Sequence, residues 1–152
     1  MPNSDKTRNI AIGADHAAFS LKEKIKGGFQ DLGFRIQDCG TDSTESVDYP
    51  DFADKVAEEI IAGRADTGIL LCGSGIGMSI AANRHAQIRA ALCHDAETAR
   101  LAREHNDANI LVLGSRLIDE KTALECVRIF LETKFAGGRH QARVAKLSLP
   151  KP

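Results

Sequence analysis

Short apolar runs, several rich in β-branched residues, alternate along this chain with longer stretches at helical spacing, and that alternation admits few folds. Asn9–Ala14 reads as a first strand, followed by a helix over 18–32 that Gly33 ends. A second strand is predicted over 34–38. A turn-rich loop, 40–50, then leads into a helix over 52–62 that ends at Gly63. Thr67–Cys72 is the third strand, entering a glycine loop and a helix near 77–83. The fourth strand is predicted over 88–93 with a helix over 96–105, and the fifth over 109–113 with a helix over 118–135. Gly137-Gly138 breaks the chain before one more short helix over 139–147.

Strict β-α alternation with continuous apolar strands implies a parallel sheet covered by helices on both faces. The expected fold is a three-layer Rossmann-like α/β domain with a C-terminal helical extension. Right-handed crossovers make the flavodoxin-like order 2-1-3-4-5 the leading arrangement of five strands. No composition shift or repeat divides the chain, so residues 1–152 read as one domain, with 1–8 and 148–152 as flexible ends. In that order the winding reverses between strands 1 and 3, opening a crevice at their C-terminal ends. Strand 1 ends at Gly13-Ala14-Asp15-His16 and strand 3 at Cys72-Gly73-Ser74-Gly75-Ile76-Gly77. The two segments richest in chemistry therefore face each other across the expected ligand crevice.

Composition narrows the function classes. Apolar residues make up 43%, charged residues 27%, and the net charge is −1 without a basic tail or acidic block. That argues against a general nucleic-acid or membrane-surface role, which calls for a field of one sign. The N-terminus is polar and lacks the apolar core of a signal peptide, and no apolar run is long enough to span a bilayer. A cytoplasmic protein is expected. Cys39, Cys72, Cys93 and Cys126 lack CxxC spacing, and no two histidines stand at metal-ligand spacing. Neither a disulfide framework nor a metal site is expected. Cys39, Cys93 and Cys126 read as fillers of apolar space.

Cys72 asks for another reading. The glycines that follow it let the backbone approach a ligand and aim N–H groups at one spot, where a helix begins. Such a loop can hold a phosphate or stabilise a developing oxyanion. It completes neither the GxxxxGK[ST] nor the GxGxxG pattern, and a plain strand-to-helix turn is the competing reading. Cys72 stands at the positive end of that helix, a place that favours a thiolate able to abstract a proton or attack a carbonyl. A small buried apolar residue would fit the position equally. Asp15 and His16 could share acid–base work or bind an anion, or Asp15 could only cap the first helix. His105, before Asn106-Asp107, could act on a ligand or cap a helix C-terminus. His85, His94 and His140 read as surface or packing residues. Arg139 and Arg143, four apart on one face of the terminal helix, could grip a phosphate, with Arg116 a further candidate. A solvated basic face is the plainer alternative.

Taken in order, these residues resemble a known family. The matching segments are Gly13-Ala14-Asp15-His16-Ala17, Asp48-Tyr49-Pro50, Cys72 to Gly77 continuing to Ala81-Ala82-Asn83, and Ile88-Arg89-Ala90. His105-Asn106-Asp107-Ala108-Asn109, Gly114-Ser115-Arg116 and Gly137-Gly138-Arg139-His140-Gln141-x-Arg143 complete the set. Together they are similar to the type B ribose-5-phosphate isomerases and the related galactose-6-phosphate and allose-6-phosphate isomerases, over about 9–147. Where that family commonly has Thr, this chain has Ser74, which also offers a hydroxyl.

The resemblance implies an aldose–ketose isomerase of the pentose phosphate pathway that needs no cofactor. His105, helped by Asp15, would open the furanose ring, and Cys72 would move a proton between C1 and C2 through an enediolate. The N–H groups from Gly73 to Gly77, with Gly75 and Ile76 between, and the Ser74 hydroxyl would stabilise the enediolate. His16, Arg116, Arg139 and Arg143 would hold the phosphate, and Tyr49 and Asn106 would complete substrate binding. His105 ends a helix and so lies at the opposite edge of the sheet from Cys72. A homodimer with shared active sites is therefore expected, association into a tetramer being left open. Two rivals remain: a hexose-phosphate isomerase of the same family, and a flavodoxin-like module that binds a nucleotide or phosphate without catalysis.

Overall fold

The computed structural model describes residues 8–148. Its parallel strands are β1 (Asn9–Ala14), β2 (Arg35–Asp38), β3 (Thr67–Cys72), β4 (Ala90–Leu92) and β5 (Ile110–Gly114). They alternate with α1 (Phe19–Gln30), α2 (Tyr49–Ile61), α3 (Ile76–Ala82), α4 (Ala96–Glu104) and α5 (Glu120–Glu132), and α6 (Gln141–Leu147) closes the chain. The expected three layers are present. Leu21, Ile25 and Phe29 of α1, Ala99 of α4 and Val127 and Phe130 of α5 cover one face of the sheet. Phe52 and Val56 of α2 and Met78 and Ala82 of α3 cover the other. Because β3 and β5 are buried on both sides, they read in sequence as unbroken apolar runs.

The strand order corrects the expectation: it is 2-1-3-5-4, not 2-1-3-4-5. β4 spans only Ala90-Ala91-Leu92, all partly exposed, whereas Ile110 to Gly114 is wholly buried. An edge position leaves one side of a strand to water, so the short strand of small residues takes it and the bulky apolar one moves inside. The crevice between β1 and β3 survives, since both orders keep that pair adjacent, in register from Ile10↔Thr67 to Ala14↔Leu71. The neighbour of β3 on its other side changes, however. It is the loop after β5, carrying Ser115 and Arg116, that lies against the glycine loop.

Smaller differences have local causes. α2 starts at Tyr49 because Pro50 fits the first helical turn, where its missing N–H has no partner to lose. The C-terminal extension divides into a 3-10 turn, Gly138–His140, and α6, so Arg139 and Arg143 lie on separate elements and not along one helix face. Of the ends expected to be flexible, 1–8 and 148–152, only Arg8 and Ser148 fall among the described residues. Both are tied down: Arg8 Nη2 donates to Thr67 Oγ1 at 3.0 Å, and Arg89 Nη1 to Ser148 Oγ at 3.3 Å. No helix among the described residues is long and apolar enough to cross a membrane.

Candidate active site

The loops that follow β1, β3 and β5 are sewn together at the C-terminal edge of the sheet. Asp15 N–H donates to Leu71 O at 3.2 Å, Ser115 N–H to Cys72 O at 2.9 Å, and Arg116 N–H to Gly73 O at 2.9 Å. The Ser115 hydroxyl adds a bond to Ala17 O at 3.0 Å, tying the loop after β5 to the loop after β1. Sequence reading passes over Ser115, because its value depends on β5 lying beside β3. Gly114 allows that approach: a Cβ there would collide with the backbone of Ser74.

Cys72 is the last residue of β3 and is 4% exposed. Its sulfur accepts the Gly75 N–H at 3.2 Å, and Ser74 Oγ accepts the Ile76 N–H at 3.1 Å. Gly75 makes the turn with φ of +80°, and a Cβ there would sit 2.5 Å from Leu92, so only glycine serves. The loop thus spends two of its N–H groups on its own side chains and does not aim all of them at one external spot. Among the described residues, the N–H groups of Gly73, Ser74 and Gly77 are the ones in the loop left without a partner. An N–H directed at the sulfur is a contact that a thiolate accepts strongly.

Asp15 lies across the crevice, 7% exposed. It does cap the chain turn that follows, its Oδ1 accepting the Ala17 N–H at 3.0 Å, and this leaves Oδ2 for a ligand. The Nδ1 atom of His16 accepts the Val47 N–H at 3.2 Å. A neutral His16 in this arrangement carries its proton on Nε2, so it meets a ligand as a donor. The Tyr49 ring lies over Gly77, where a Cβ would come within 2.5 Å of it. The Arg116 guanidinium lies over Gly73, 3.3 Å from the position a Cβ would take. Asp15, His16, Tyr49, Cys72, Gly73, Ser74, Gly75, Ile76, Gly77 and Arg116 therefore gather at this edge.

The remaining candidates gather at the other. His105 is the C-cap of α4, ahead of β5, and so stands at the N-terminal edge with Asn106. The C-terminal segment is fastened to the same edge: Ala136 N–H donates to Glu104 O at 3.0 Å. The His140 ring stacks on His105, centroids 4.3 Å apart and planes at 14°. His140 is thus more than the surface residue its isolated position suggests. Partial desolvation, followed by the charges of His105, Arg139 and Arg143, holds its pKa below the ordinary value, so it stays neutral at neutral pH. A cavity of about 580 Å³ beside β4 includes Asn106 but no other candidate, so it is not where these residues converge. Among the described residues, no group of His, Cys, Asp and Glu is arranged to hold a metal ion.

Burial disfavours the charged thiolate, pushing Cys39 up to about 11, Cys93 to about 12 and Cys126 to about 11. All three stay protonated below those values, so iodoacetate at pH 7.5 is expected to label Cys72 and leave the others intact. Because Cys72 is almost covered, the reagent must enter by the crevice, and inorganic phosphate or a sugar phosphate should slow it. Peptide mapping that found Cys39 labelled before Cys72 would contradict this.

Comparison with known proteins agrees with the geometry. The ribose/galactose isomerase family matches residues 10–147. A ribose 5-phosphate isomerase structure from Thermotoga maritima superposes with a TM-score of 0.92 at 56% identity, over 94% of this chain and 99% of that one. Ribose-5-phosphate isomerase B of Escherichia coli is 43% identical over 93% of this chain and 95% of its own length. D-erythrulose-4-phosphate isomerase of Pectobacterium atrosepticum is 44% identical, with 91% and 92% covered. With the family match spanning residues 10–147 and these identities holding over nearly its whole length, the chain belongs to the ribose/galactose isomerase family.

Proposed function

We propose that the protein interconverts ribose 5-phosphate and ribulose 5-phosphate through an enediolate, with Cys72 moving the proton between C1 and C2. The observation that carries this reading is the placement of Cys72, whose sulfur accepts the Gly75 N–H at the end of β3, next to the end of β1 that leads into Asp15 and His16. The N–H groups of Gly73, Ser74 and Gly77 and the Ser74 hydroxyl would be the donors available where enediolate charge develops. Ring opening would fall to His105 with Asp15, and phosphate binding to His16, Arg116, Arg139 and Arg143. Tyr49 and Asn106 would border the sugar.

His105, Asn106, Arg139 and Arg143 cannot reach the crevice of their own chain. Strands of about five residues separate the two sheet edges by roughly 16 Å. In this reading a second copy supplies those four residues, and a two-fold dimer carries two equivalent sites. Exposed Ile76 and Ile80, at 54% and 63%, lie one turn apart on α3 and fit such an interface.

Two assays test the reading. Turnover should be faster on ribose 5-phosphate than on allose 6-phosphate, galactose 6-phosphate or erythrulose 4-phosphate, since one family serves sugars of several lengths. Preference for another of the four would reassign the substrate. Replacing Arg139 or Arg143 by Ala should raise KM for ribose 5-phosphate by roughly tenfold to a hundredfold, the usual weight of a charged hydrogen bond. That effect should vanish on free ribose, which has no dianion to hold. An equal loss on both sugars would assign these arginines to the fold.

A further inference from the structure

Lys22 is completely buried, an unusual position for an ammonium group. Its Nζ contacts Asp38 Oδ2 at 2.5 Å and Glu23 Oε1 at 3.0 Å, and lies 5.3 Å from the centre of the Phe19 ring. Lys26 Nζ reaches the same Asp38 oxygen at 2.7 Å, and Asp38 Oδ1 accepts the Gly40 N–H at 2.8 Å. Burial works against the Asp38 carboxylate, but the two lysines and the Gly40 N–H outweigh it and hold its pKa below the usual range. A buried ion pair is weak evidence for stability, because an apolar side chain of similar size would fill the space without desolvating two charges. What the pair does, and an apolar residue cannot, is hold one carboxylate in one orientation.

Asp38 ends β2, and the segment after it continues alongside β1. Cys39 N–H donates to Ile12 O at 2.8 Å, Ala14 N–H to Gly40 O at 2.5 Å, and Thr41 N–H to Ala14 O at 2.7 Å. Both backbone groups of Ala14, the residue just before Asp15 and His16, are thus pinned by residues 40 and 41. The same loop returns at Val47 to donate its N–H to His16 Nδ1. Lys22 follows His16 by six residues on the same segment, one turn into α1. The contacts close a ring: Asp15 and His16, then Lys22, Asp38, Gly40 and Ala14.

We propose that Lys22 is a positioning residue for the crevice: through Asp38 and Gly40 it fixes the path of Ala14 and the 40–47 loop, and thereby the placement of Asp15 and the ring orientation of His16. The proposal rests on the isomerase reading for its kinetic consequence only. Its structural consequence, a single Nε2–H tautomer of His16 set by the Val47 N–H, can be read without substrate.

The test is Lys22→Met. Asp38 keeps Lys26 and Gly40 as partners, so the variant should fold with little change in Tm. Its kcat/KM on ribose 5-phosphate should fall by about tenfold to a hundredfold, the scale of a displacement near 1 Å in a reacting site. Labelling of Cys72 by iodoacetate should continue at the wild-type rate, because the β3 loop is untouched. Nitrogen-15 shifts of the His16 ring should show one Nε2–H tautomer in the wild type and a mixture in Lys22→Met. A folded Lys22→Met with normal kcat/KM and an unchanged His16 spectrum would overturn the proposal. Should Lys22→Met not fold, the same two readings on Lys22→Gln, which retains a donor toward Asp38 without the charge, decide it in the same way. A wild-type protein inactive on ribose 5-phosphate would remove the ribose 5-phosphate reading, while the His16 spectra would still judge the role given to Lys22.

Discussion

Cys72→Ala is expected to lower turnover on ribose 5-phosphate by roughly 10²–10⁴-fold, the usual contribution of a positioned proton-transfer group. KM should change little, since the groups assigned to the phosphate lie elsewhere. The substitution removes one buried atom from the end of β3 and breaks only the bond from Gly75 N–H, so the loop keeps its Ser74–Ile76 bond and its seams to Ser115 and Arg116. Cys39→Ala, Cys93→Ala and Cys126→Ala provide the contrast. Cys93 and Cys126 are buried in the core between sheet and helices, and their loss should cost about 1 kcal/mol of stability with turnover intact. Near-normal turnover by folded Cys72→Ala would remove the cysteine from the mechanism. It would leave Asp15, at the neighbouring end of β1, as the candidate acid–base group.

Mixing two inactive variants, Cys72→Ala and His105→Ala, is expected to restore about a quarter of wild-type activity after joint unfolding and refolding. Random pairing makes about half of the dimers mixed, and each mixed dimer holds one intact site and one doubly damaged site. The expectation follows from the topology. His105 stands where α4 hands the chain to β5, and Cys72 where β3 ends, so a parallel sheet holds them at opposite edges. His140 stacked on His105 and the neighbouring Arg139 are carried on that same far edge, so a whole cluster, not a single side chain, would cross to the other subunit. Absence of recovery, despite demonstrated exchange of subunits, would show that His105 does not act on the sugar that Cys72 serves.

Much of this arrangement was legible beforehand, and the reason is locality. Periodicity within a dozen residues marks strands and helices, and glycines mark their ends. The reversal between β1 and β3 needs only the alternation of elements and the handedness of crossovers, so Asp15, His16 and Cys72 could be placed across one crevice from the chain alone. Even the separation of His105 from Cys72 follows from which ends of their elements they occupy.

What the sequence by itself determined is therefore the kinds of elements, their boundaries to within a few residues, and the edges of the sheet at which Asp15, His16, Cys72 and His105 stand. Tertiary structure alone decided which strand lies next to β3, because β4 and β5 compete for one interior position and the outcome depends on their relative burial, a comparison between distant segments. That outcome brought Ser115 and Arg116 against the glycine loop. It also took packing to show that Gly75 and Ile76 spend their N–H groups inside the loop, and that His140 lies on His105. Lys22 is the sharpest case. A lysine on a helix reads as a solvent-facing residue, and only the fold, by placing Asp38 at the end of the neighbouring strand, supplies the charge that allows it to be buried.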